Sequence, residues 1–369
     1  MSGLYIHIPY CHSKCAYCDF YSMPRTDTLQ QYVCALLTEL DLRISEIEDK
    51  ISTVYIGGGT PSILPIDLLS KIVSRVANYV NISTIEEFTI EANPEDVTAE
   101  WVDAISRLGI NRVSMGIQSF NDNELKVINR RHTSHTALQA IKTLRCGGIT
   151  RICGDLIYGL PGQDLVSWKR SLDKLMELHL PHFSAYLLSY EPGTGLYSRL
   201  MAGKVEEASE ELANEMYQYL ISTAQNNGYN HYEISNFAQS GCEAIHNTNY
   251  WRDLPYLGIG VSAHSFDGKN RRFNPADIKE YIARLSQNKC YYEIEEEDAV
   301  ARHNDYIIVS LRTSQGIDLD LYQRKYDYDI LGIAQPHIDA GRMVLTDTHL
   351  AIAEESMLIS DRIMLDFIV

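Results

Sequence analysis

LYIHIPYCHSKCAYCDFYS, residues 4–22, joins a short apolar run to three closely spaced cysteines. The run LYIHIP predicts a buried β-strand, and the cysteines follow it at positions 11, 15 and 18 in the spacing C-x3-C-x2-C. No fourth cysteine stands at position 20, which is occupied by Phe20. Three soft thiolate ligands this close together suit a metal centre better than a packing role.

The number of thiolates indicates which kind of metal centre these cysteines form. Structural zinc sites usually have four protein ligands, often as two separated CxxC pairs, and here no second pair exists; Cys34 is the nearest further cysteine. A [4Fe–4S] cluster accepts cysteine thiolates, and three protein ligands leave one iron open for chemistry. We therefore favour an iron–sulfur cluster over zinc, and zinc over a group of free thiols. His7 and His12 lie nearby, but neither position is typical of a metal ligand.

Strand-like and helix-like segments alternate along the first half of the chain. Repeated β-then-α units predict a parallel sheet with right-handed crossovers, and six such units are too few for a closed eight-stranded barrel. We therefore predict an α/β fold with an open parallel sheet, a partial (β/α)6 barrel, whose functional residues lie at the carboxyl ends of the strands. The predicted strands are 4–9, 53–59, 86–94, 111–120, 151–162 and 181–190.

The pattern changes after Pro192. A long helix is expected over 205–227, and residues 246–266 have loop character with many aromatic side chains. A polar, acidic segment that begins near residue 292 leads into a smaller helix-rich region. We expect three parts: a core at 1–235, an aromatic-rich connecting segment at 236–290 and a small helix-rich domain at 291–369.

The composition limits the classes of partner. The chain has 369 residues, is 45% hydrophobic and carries a formal net charge of −17, which argues against a nucleic-acid backbone as its main partner. No signal peptide and no run of about 18 apolar residues is visible, so we expect a cytoplasmic protein without a transmembrane segment. Peripheral membrane association and the oligomeric state stay open. The eight cysteines lack the pattern of a disulfide framework, and reduced thiols are expected.

A second motif, GGGTP at 57–61, follows the cysteines one strand later. Glycines there let the backbone approach a ligand closely, although a tight turn alone would also use them. Together the two motifs resemble the radical S-adenosylmethionine (SAM) superfamily. This resemblance implies that Cys11, Cys15 and Cys18 bind a [4Fe–4S] cluster whose open iron is chelated by SAM. In that superfamily the reduced cluster cleaves SAM to methionine and a 5′-deoxyadenosyl radical.

Polar residues stand at the ends of the later predicted strands. Glu91 lies in EANP, Gln118 in GIQSF, Arg130 in NRRH and Asp155 in CGDLIYGLPGQ. Carboxylates suit ribose hydroxyls and an amino group, and arginine suits a carboxylate, although a single acid at a strand end is commonly a cap. Over nearly the whole chain, these segments resemble the group formed by oxygen-independent coproporphyrinogen III dehydrogenase (HemN) and the heme chaperone HemW. The resemblance implies SAM contacts, for one or two SAM molecules, at Tyr5, Tyr17, Gly58, Gly59, Thr60, Glu91, Gln118, Arg130 and Asp155.

Three features favour the chaperone branch of this group. Phe20 replaces the fourth cysteine of the dehydrogenase motif, the long extension that precedes the cysteines in the dehydrogenase is missing, and HNTNYW at 246–251 matches the chaperone signature H-N-x-x-Y-W. The resemblance implies a radical SAM core at 1–235, a HemN-type C-terminal domain at 291–369, and a protein that delivers heme to apo-hemoproteins. A reducing electron donor is a further expected partner. No catalytic residue is assigned.

The HNTNYW motif supplies the heme candidates His246, Tyr250 and Trp251. An imidazole is a common axial ligand of heme iron, and flat amphipathic rings suit a porphyrin face. Without the resemblance, we would favour a turn-capping role for His246 and a packing role for Tyr250 and Trp251; His231 and His264 are weaker ligand candidates. The alternative function is the dehydrogenase itself, which converts propionates to vinyl groups by oxidative decarboxylation. A radical SAM enzyme that acts on tRNA is disfavoured by the negative charge. Whether the chain is an enzyme stays open.

Overall fold

The computed structural model describes residues 2–24, 26–296 and 298–369 and shows a large sheet covered by helices, with a smaller region after it. The strands are β1 Ser2–Ile8, β2 Ile51–Gly58, β3 Glu87–Ala92, β4 Arg112–Gln118, β5 Arg151–Tyr158, β6 His182–Leu187, β7 Asn230–Glu233, β8 Asn236–Ala238, β9 Tyr256–Ile259, β10 His264–Phe266, β11 Arg271–Phe273, β12 Glu293–Glu295, β13 Ile317–Asp318, β14 Met343–Leu345 and β15 His349–Ile352. The helices are α1 Leu29–Arg43, α2 Ile66–Ala77, α3 Ala99–Arg107, α4 Asp122–Val127, α5 Ser134–Cys146, α6 Leu165–Glu177, α7 Gly195–Met201, α8 Glu210–Asn226, α9 Ile245–Trp251, α10 Ile278–Leu285, α11 Ala299–Leu311, α12 Leu319–Lys325, α13 Ile330–Asp339 and α14 Ser360–Met364.

The large sheet confirms the predicted open α/β architecture. Strands β1 to β6 lie side by side in chain order, and each pair of neighbours is parallel. Their carboxyl ends therefore meet at one edge of the sheet, as expected for repeated β-then-α units. Strand β9 pairs with β1 and strand β8 with β6, so the described strands form a row of 12 and not a closed barrel.

Local sequence explains the elements that position the strand ends. Strand β2 is buried from Ile51 to Gly57 and is mostly apolar, as is typical of strands within a parallel sheet. Helix α3 begins where the hydroxyl of Thr98 accepts a hydrogen bond from Trp101 N, and helix α6 begins where the carboxylate of Asp164 accepts one from Ser167 N. Each helix thus starts shortly after a strand end and leaves the intervening loop at the same edge.

The loop character expected for residues 246–266 is wrong. HNTNYW lies within helix α9, and YLGI forms strand β9, which pairs in parallel with β1. A strand of four residues is too short to give a readable periodicity, and its partner is the first strand of the chain. Gly258 allows the close approach of β9 and β10, because a Cβ atom there would lie 1.9 Å from the carbonyl oxygen of His264.

A buried ion pair on helix α1 contacts α10, the segment after β9 and the segment after β11. The side chains of Glu39 and Arg43 are 0% and 1% exposed, with 2.7 Å between Arg43 Nη1 and Glu39 Oε1. The Glu39 carboxylate also accepts hydrogen bonds from Asn274 Nδ2 at 2.7 Å, from Gly260 N at 2.8 Å and from the Tyr281 hydroxyl at 2.6 Å. Both oxygens are therefore paired, as the burial of a carboxylate requires.

The smaller region contains an antiparallel sheet in the order β13, β15, β14, together with helices α11 to α14. Hydrogen bonds attach it to the rest of the chain, from Ile234 N to Arg312 O at 2.9 Å and from the Tyr217 hydroxyl to Glu354 O at 2.9 Å. Within the described residues, no helix combines the length and the apolar character that a membrane span requires.

Candidate functional site

A cavity of about 530 Å³ lies at the carboxyl ends of β1 to β6, and we call it the strand-end cavity. It brings together all three residues expected to bind a cluster and eight of the nine expected to contact SAM. The ninth, Tyr5, lies outside the wall: its ring centroid is 6.0 Å from that of Tyr55, which does line the cavity, and its hydroxyl is 3.0 Å from His7 Nδ1. The expected residues in the wall are Cys11, Cys15, Tyr17, Cys18, Gly58, Gly59, Thr60, Glu91, Gln118, Arg130 and Asp155.

The three cysteines stand on the loop after β1 and have few polar partners. Cys11 Sγ accepts a hydrogen bond from the Thr60 hydroxyl at 3.3 Å, and Cys15 Sγ accepts one from Arg130 Nη1 at 3.4 Å. Burial raises the pKa of Cys11, and it raises the pKa of Cys18 to about 11, so metal binding would have to displace the thiol protons. In the part of the chain that the structure describes, no three His, Cys, Asp or Glu side chains are placed to hold a single metal ion. In a cubane cluster, each thiolate instead binds a different iron.

Two glycines fix the backbone of the loop after β2. Gly58 has φ +112°, a conformation that other residues rarely adopt, and its N–H donates to Glu91 Oε2 at 3.0 Å. A Cβ atom on Gly59 would lie 2.7 Å from the carbonyl oxygen of Tyr10. The GGGTP motif is therefore required by close backbone packing beside the cysteine loop, and it also leaves room in the cavity wall.

Two carboxyl groups line the same cavity. Glu91 accepts hydrogen bonds from the Tyr55 hydroxyl at 2.8 Å and from Gly58 N, and burial together with the charge of Asp155 raises its pKa to about 7. Asp155 accepts from the Ser114 hydroxyl at 3.1 Å and from the Cys153 thiol at 2.9 Å, and burial raises its pKa too. Carboxylates in this setting gain from a ligand that brings an ammonium group or hydroxyl donors.

The raised pKa of Glu91 predicts a pH-dependent stability difference between the wild type and Glu91→Gln. Well below about pH 4, the carboxyl is protonated in both the folded and the unfolded chain, so it adds no pH dependence. As the pH rises to about 7, the unfolded chain ionises first, and the wild type loses stability relative to the variant. Urea unfolding without SAM at about pH 5 and pH 8 measures this change; Glu215→Gln, at an exposed position, is the control. A stability difference that does not change with pH would contradict the prediction.

Unpartnered polar atoms in the wall provide a test of fit for SAM. Gln118 has φ +65°, and its buried Oε1 has no hydrogen-bond partner among the described residues; the same holds for Arg130 Nε. Arg130 Nη2 is held by the carbonyl oxygen of Gly116 and by Asn93 Oδ1, both at 2.6 Å. Buried polar groups normally have partners, so the wall fits a ligand that carries both donors and acceptors. The amino-acid part of SAM has an ammonium and a carboxylate group, and the residues fit it.

Several residues of the cavity wall were not predicted from the sequence. Tyr55 donates to Glu91, and Asn93 positions Arg130. Tyr55 precedes the GGGTP motif and Asn93 belongs to EANP, but only the glycines, Thr60 and Glu91 were predicted from these segments. Tyr55 stands two residues before Gly57 and hence on the same face of β2, which is a signal that could have been read. Tyr186 and Phe20 also line the cavity, and Phe20 is 65% exposed.

The heme candidates lie on α9, near the amino ends of β2 and β3. His246 is buried, with Nδ1 2.8 Å from the Thr53 hydroxyl and Nε2 2.7 Å from the Tyr250 hydroxyl, and its ring stacks on Tyr55. Burial lowers the pKa of His246 to about 3, so the imidazole is neutral. Both ring nitrogens already have partners, and ligation of heme iron by His246 would require one of these hydrogen bonds to break. His264 lies elsewhere and stacks on Phe273.

The third candidate, Trp251, lines a second cavity of about 910 Å³, which we call the α9 cavity. Its walls come from the end of α8 and β7, from α9, from α11 with the segment that follows it, and from β15. Asn247 of α9 instead lines the strand-end cavity, so one short helix contributes to both. Among the wall residues of the α9 cavity are His231, Tyr232, Asn249, Arg252, Tyr306 and His349.

A buried row of hydrogen bonds connects the two cavities. The Cys153 thiol donates to Asp155 Oδ1 at 2.9 Å, Cys153 Sγ is 2.9 Å from His182 Nδ1, and His182 Nε2 is 2.7 Å from the Tyr232 hydroxyl. Burial lowers the pKa of His182, so its neutral ring has one donor and one acceptor nitrogen for this row. Asp155 lines the strand-end cavity and Tyr232 lines the α9 cavity.

Known proteins resemble this chain along most of its length. The family model of the Radical SAM superfamily matches residues 5–175. The heme chaperone HemW of Lactococcus lactis is 35% identical over 326 residues, 88% of this chain and 85% of the relative; HemW of Bacillus subtilis is 32% identical over 337 residues, 90% and 89% of the two chains. The solved structure of coproporphyrinogen III oxidase (HemN) from Escherichia coli, a radical SAM enzyme, matches with a TM-score of 0.85 at 22% identity. That match covers 99% of this chain and 89% of the other, and it shows a shared fold.

Proposed function

The chain belongs to the HemW family of radical SAM proteins, and from this we propose that it binds heme and delivers it to apo-hemoproteins. The radical SAM family implies a [4Fe–4S] cluster and SAM as cofactors. The observation that carries the proposal is the similarity to named heme chaperones over 88% of the chain, which includes the region beyond the radical SAM match.

We assign the cluster to Cys11, Cys15 and Cys18. What supports this assignment is that the three thiols lie in one cavity wall, beside the hydroxyl of Thr60 and the guanidinium of Arg130. A hydroxyl and a guanidinium can donate hydrogen bonds to cysteine sulfur, which binds iron as the thiolate. When bound, the cluster supplies an electron to SAM at its open iron, so a reducing electron donor belongs to the proposal.

The remaining wall groups have roles that follow from their chemistry. Arg130 is the cation that suits the carboxylate of SAM, and its Nε is unpartnered. Glu91 and Asp155 accept hydrogen bonds from ammonium or ribose hydroxyls, and Gln118 Oε1 is a further acceptor. Tyr55 and Asn93 are positioning residues, because their hydrogen bonds hold Glu91 and Arg130 in place. These assignments form part of the same proposal.

The proposal predicts a binding protein without decarboxylase activity. After anaerobic reconstitution of the cluster, titration with heme is expected to give a shifted Soret band with a defined endpoint. Reduced protein incubated with SAM and coproporphyrinogen III is expected to leave that substrate unchanged, while an active coproporphyrinogen III oxidase in a parallel assay converts it. Mixing the heme-loaded chain with an apo-hemoprotein should move the heme to the client.

Two results would contradict the proposal. Absence of saturable heme binding would remove its central claim. Clear conversion of coproporphyrinogen III to protoporphyrinogen IX would instead make the chain an oxidative decarboxylase of propionate side chains. The two assays use the same reconstituted protein, so a failed cluster assembly is recognised in both by its optical spectrum.

A further inference from the structure

The α9 cavity has the size of a small-molecule site and belongs to no part of the SAM assignment. Its volume is about 910 Å³, against about 530 Å³ for the strand-end cavity. Small-molecule pockets span about 300–1,000 Å³, so this cavity is at the upper end of that range. Aromatic rings of Tyr229, Tyr232, Trp251 and Tyr306 contribute to its wall. A large ligand with flat apolar faces suits such a lining.

His349, the first residue of β15, gives this cavity a histidine with an uncommitted ring nitrogen. Its Nδ1 is 2.8 Å from the hydroxyl of Thr348, and Nε2 has no hydrogen bond within the described part of the chain. A Nδ1–H that donates to a neighbouring oxygen leaves the lone pair on Nε2 for a metal, the usual arrangement of a ligating histidine. The other histidine in the wall, His231, has Nε2 3.3 Å from Ile234 O and Nδ1 3.7 Å from Glu354.

Two buried donors in the same wall have no partner. Asn249 is 7% exposed, and its Nδ2 makes no hydrogen bond in the described residues; Trp251 Nε1 is likewise buried without a partner. Both lie on α9, next to Arg252, whose cationic side chain also lines the cavity. Unpaired buried donors beside a cation suit carboxylate oxygens of a ligand.

The acidic residues of the wall limit where carboxylates of a ligand can lie. Glu354 pairs with His231 and accepts from Gln225 Nε2 at 2.7 Å, Asp253 is 3.7 Å from Lys325 Nζ, and Asp318 accepts from Leu321 N at 2.8 Å. Glu243 is a fourth wall carboxylate. Anionic groups of a ligand are therefore best matched by the donors Asn249 Nδ2 and Trp251 Nε1 and by the Arg252 guanidinium.

We propose that the α9 cavity is the heme site, with His349 as an axial ligand of the iron and Asn249 and Trp251 as donors to a propionate. The inference rests on the proposed function, because it names the place at which the heme of that function binds. This assignment places heme outside the strand-end cavity, and His246 keeps its hydrogen bonds with Thr53 and Tyr250. A planar iron porphyrin with carboxylate arms matches the aromatic rings, the imidazole and the donors together.

The test is heme titration of the full chain and of variants, followed by absorption and magnetic circular dichroism spectra. His349→Ala is expected to weaken heme binding at least about tenfold and to lose the histidine-ligated spectrum, because even an outer-shell partner of a metal ligand is worth about 10–100-fold. Added imidazole should restore the spectrum, and His349→Met should give a thioether-ligated one. His135→Ala, at an exposed site on α5, is the matched control.

A second comparison tests the donors. Trp251→Phe keeps an aromatic ring but lacks Nε1–H, so it should weaken binding of heme several-fold and leave the affinity for heme dimethyl ester unchanged. An unchanged heme affinity in this variant would overturn the propionate assignment.

The outcomes separate this inference from the proposed function. If the wild type binds heme and His349→Ala keeps the same affinity and spectrum, the α9 site is overturned and the chaperone function still stands. Direct competition between SAM and heme would have the same consequence. Wild type that shows no saturable heme binding would overturn both.

Discussion

Cys15→Ala is expected to lose the [4Fe–4S] cluster almost completely after anaerobic reconstitution. Two thiolates remain in the variant, and the wall then presents Arg130 Nη1 to a methyl group where it had a sulfur at 3.4 Å. The measurements are iron and sulfide content, the visible absorption of the cluster, and the EPR signal of the reduced protein with and without SAM. In wild type, SAM should change that EPR signal, because it binds the open iron.

The control for this prediction is Cys34→Ala, since Cys34 is exposed on α1 and lies outside the strand-end cavity. It should retain wild-type cluster content. A normal cluster in Cys15→Ala would show that the assignment of the three thiolates is wrong.

Glu39→Gln is expected to lower the free energy of unfolding by about 2–3 kcal/mol, because a buried donor left without an acceptor costs about 1–3 kcal/mol. Arg43 keeps its ion pair with Glu46 in this variant. The amide keeps the shape of the carboxylate but turns one acceptor into a donor. That NH2 group would face Arg43 Nη1, Gly260 N or the Tyr281 hydroxyl, all of which donate to Glu39. Chemical denaturation at neutral pH measures the loss.

Two further variants make this prediction specific. Asp103→Ala removes an exposed ion pair with Arg107 on α3, and it should cost less than about 1 kcal/mol because surface pairs contribute little. The double change Glu39→Gln with Arg43→Met also removes the guanidinium donor that faces the new amide, so it should cost less than the sum of the two single changes. A loss below about 1 kcal/mol for Glu39→Gln would contradict the view that the buried donors around Glu39 depend on this carboxylate.

The strand-end residues could be anticipated from sequence because topology brings them together. Once six parallel strands are assumed, Glu91, Gln118 and Asp155 must approach one edge, and the cysteine loop follows β1 at the same edge. The prediction needed no knowledge of distances. Tyr5 is the exception, because it lies within β1 next to Tyr55 and does not line the cavity.

The Glu39 ion pair and the α9 cavity depend on contacts that no local sequence pattern predicts. Glu39 meets Gly260, Asn274 and Tyr281, which lie more than 200 positions away in sequence, so a buried glutamate in a helix looked like an ordinary polar residue. His349 lies in a segment without a recognisable motif, and it lines the α9 cavity because the small sheet and α9 contribute to the same wall. The spacing of residues in the sequence does not predict such contacts between distant elements.

Helix α9 is two turns long and supplies side chains to both cavities, while Glu87 holds its first two N–H groups. A ligand in either cavity that displaces this helix must therefore alter the affinity at the other. Thermodynamic linkage requires the factor to be the same in both directions: if SAM changes the dissociation constant of heme, heme changes that of SAM equally. The shared helix makes the occupancy of each cavity a potential effector of the other.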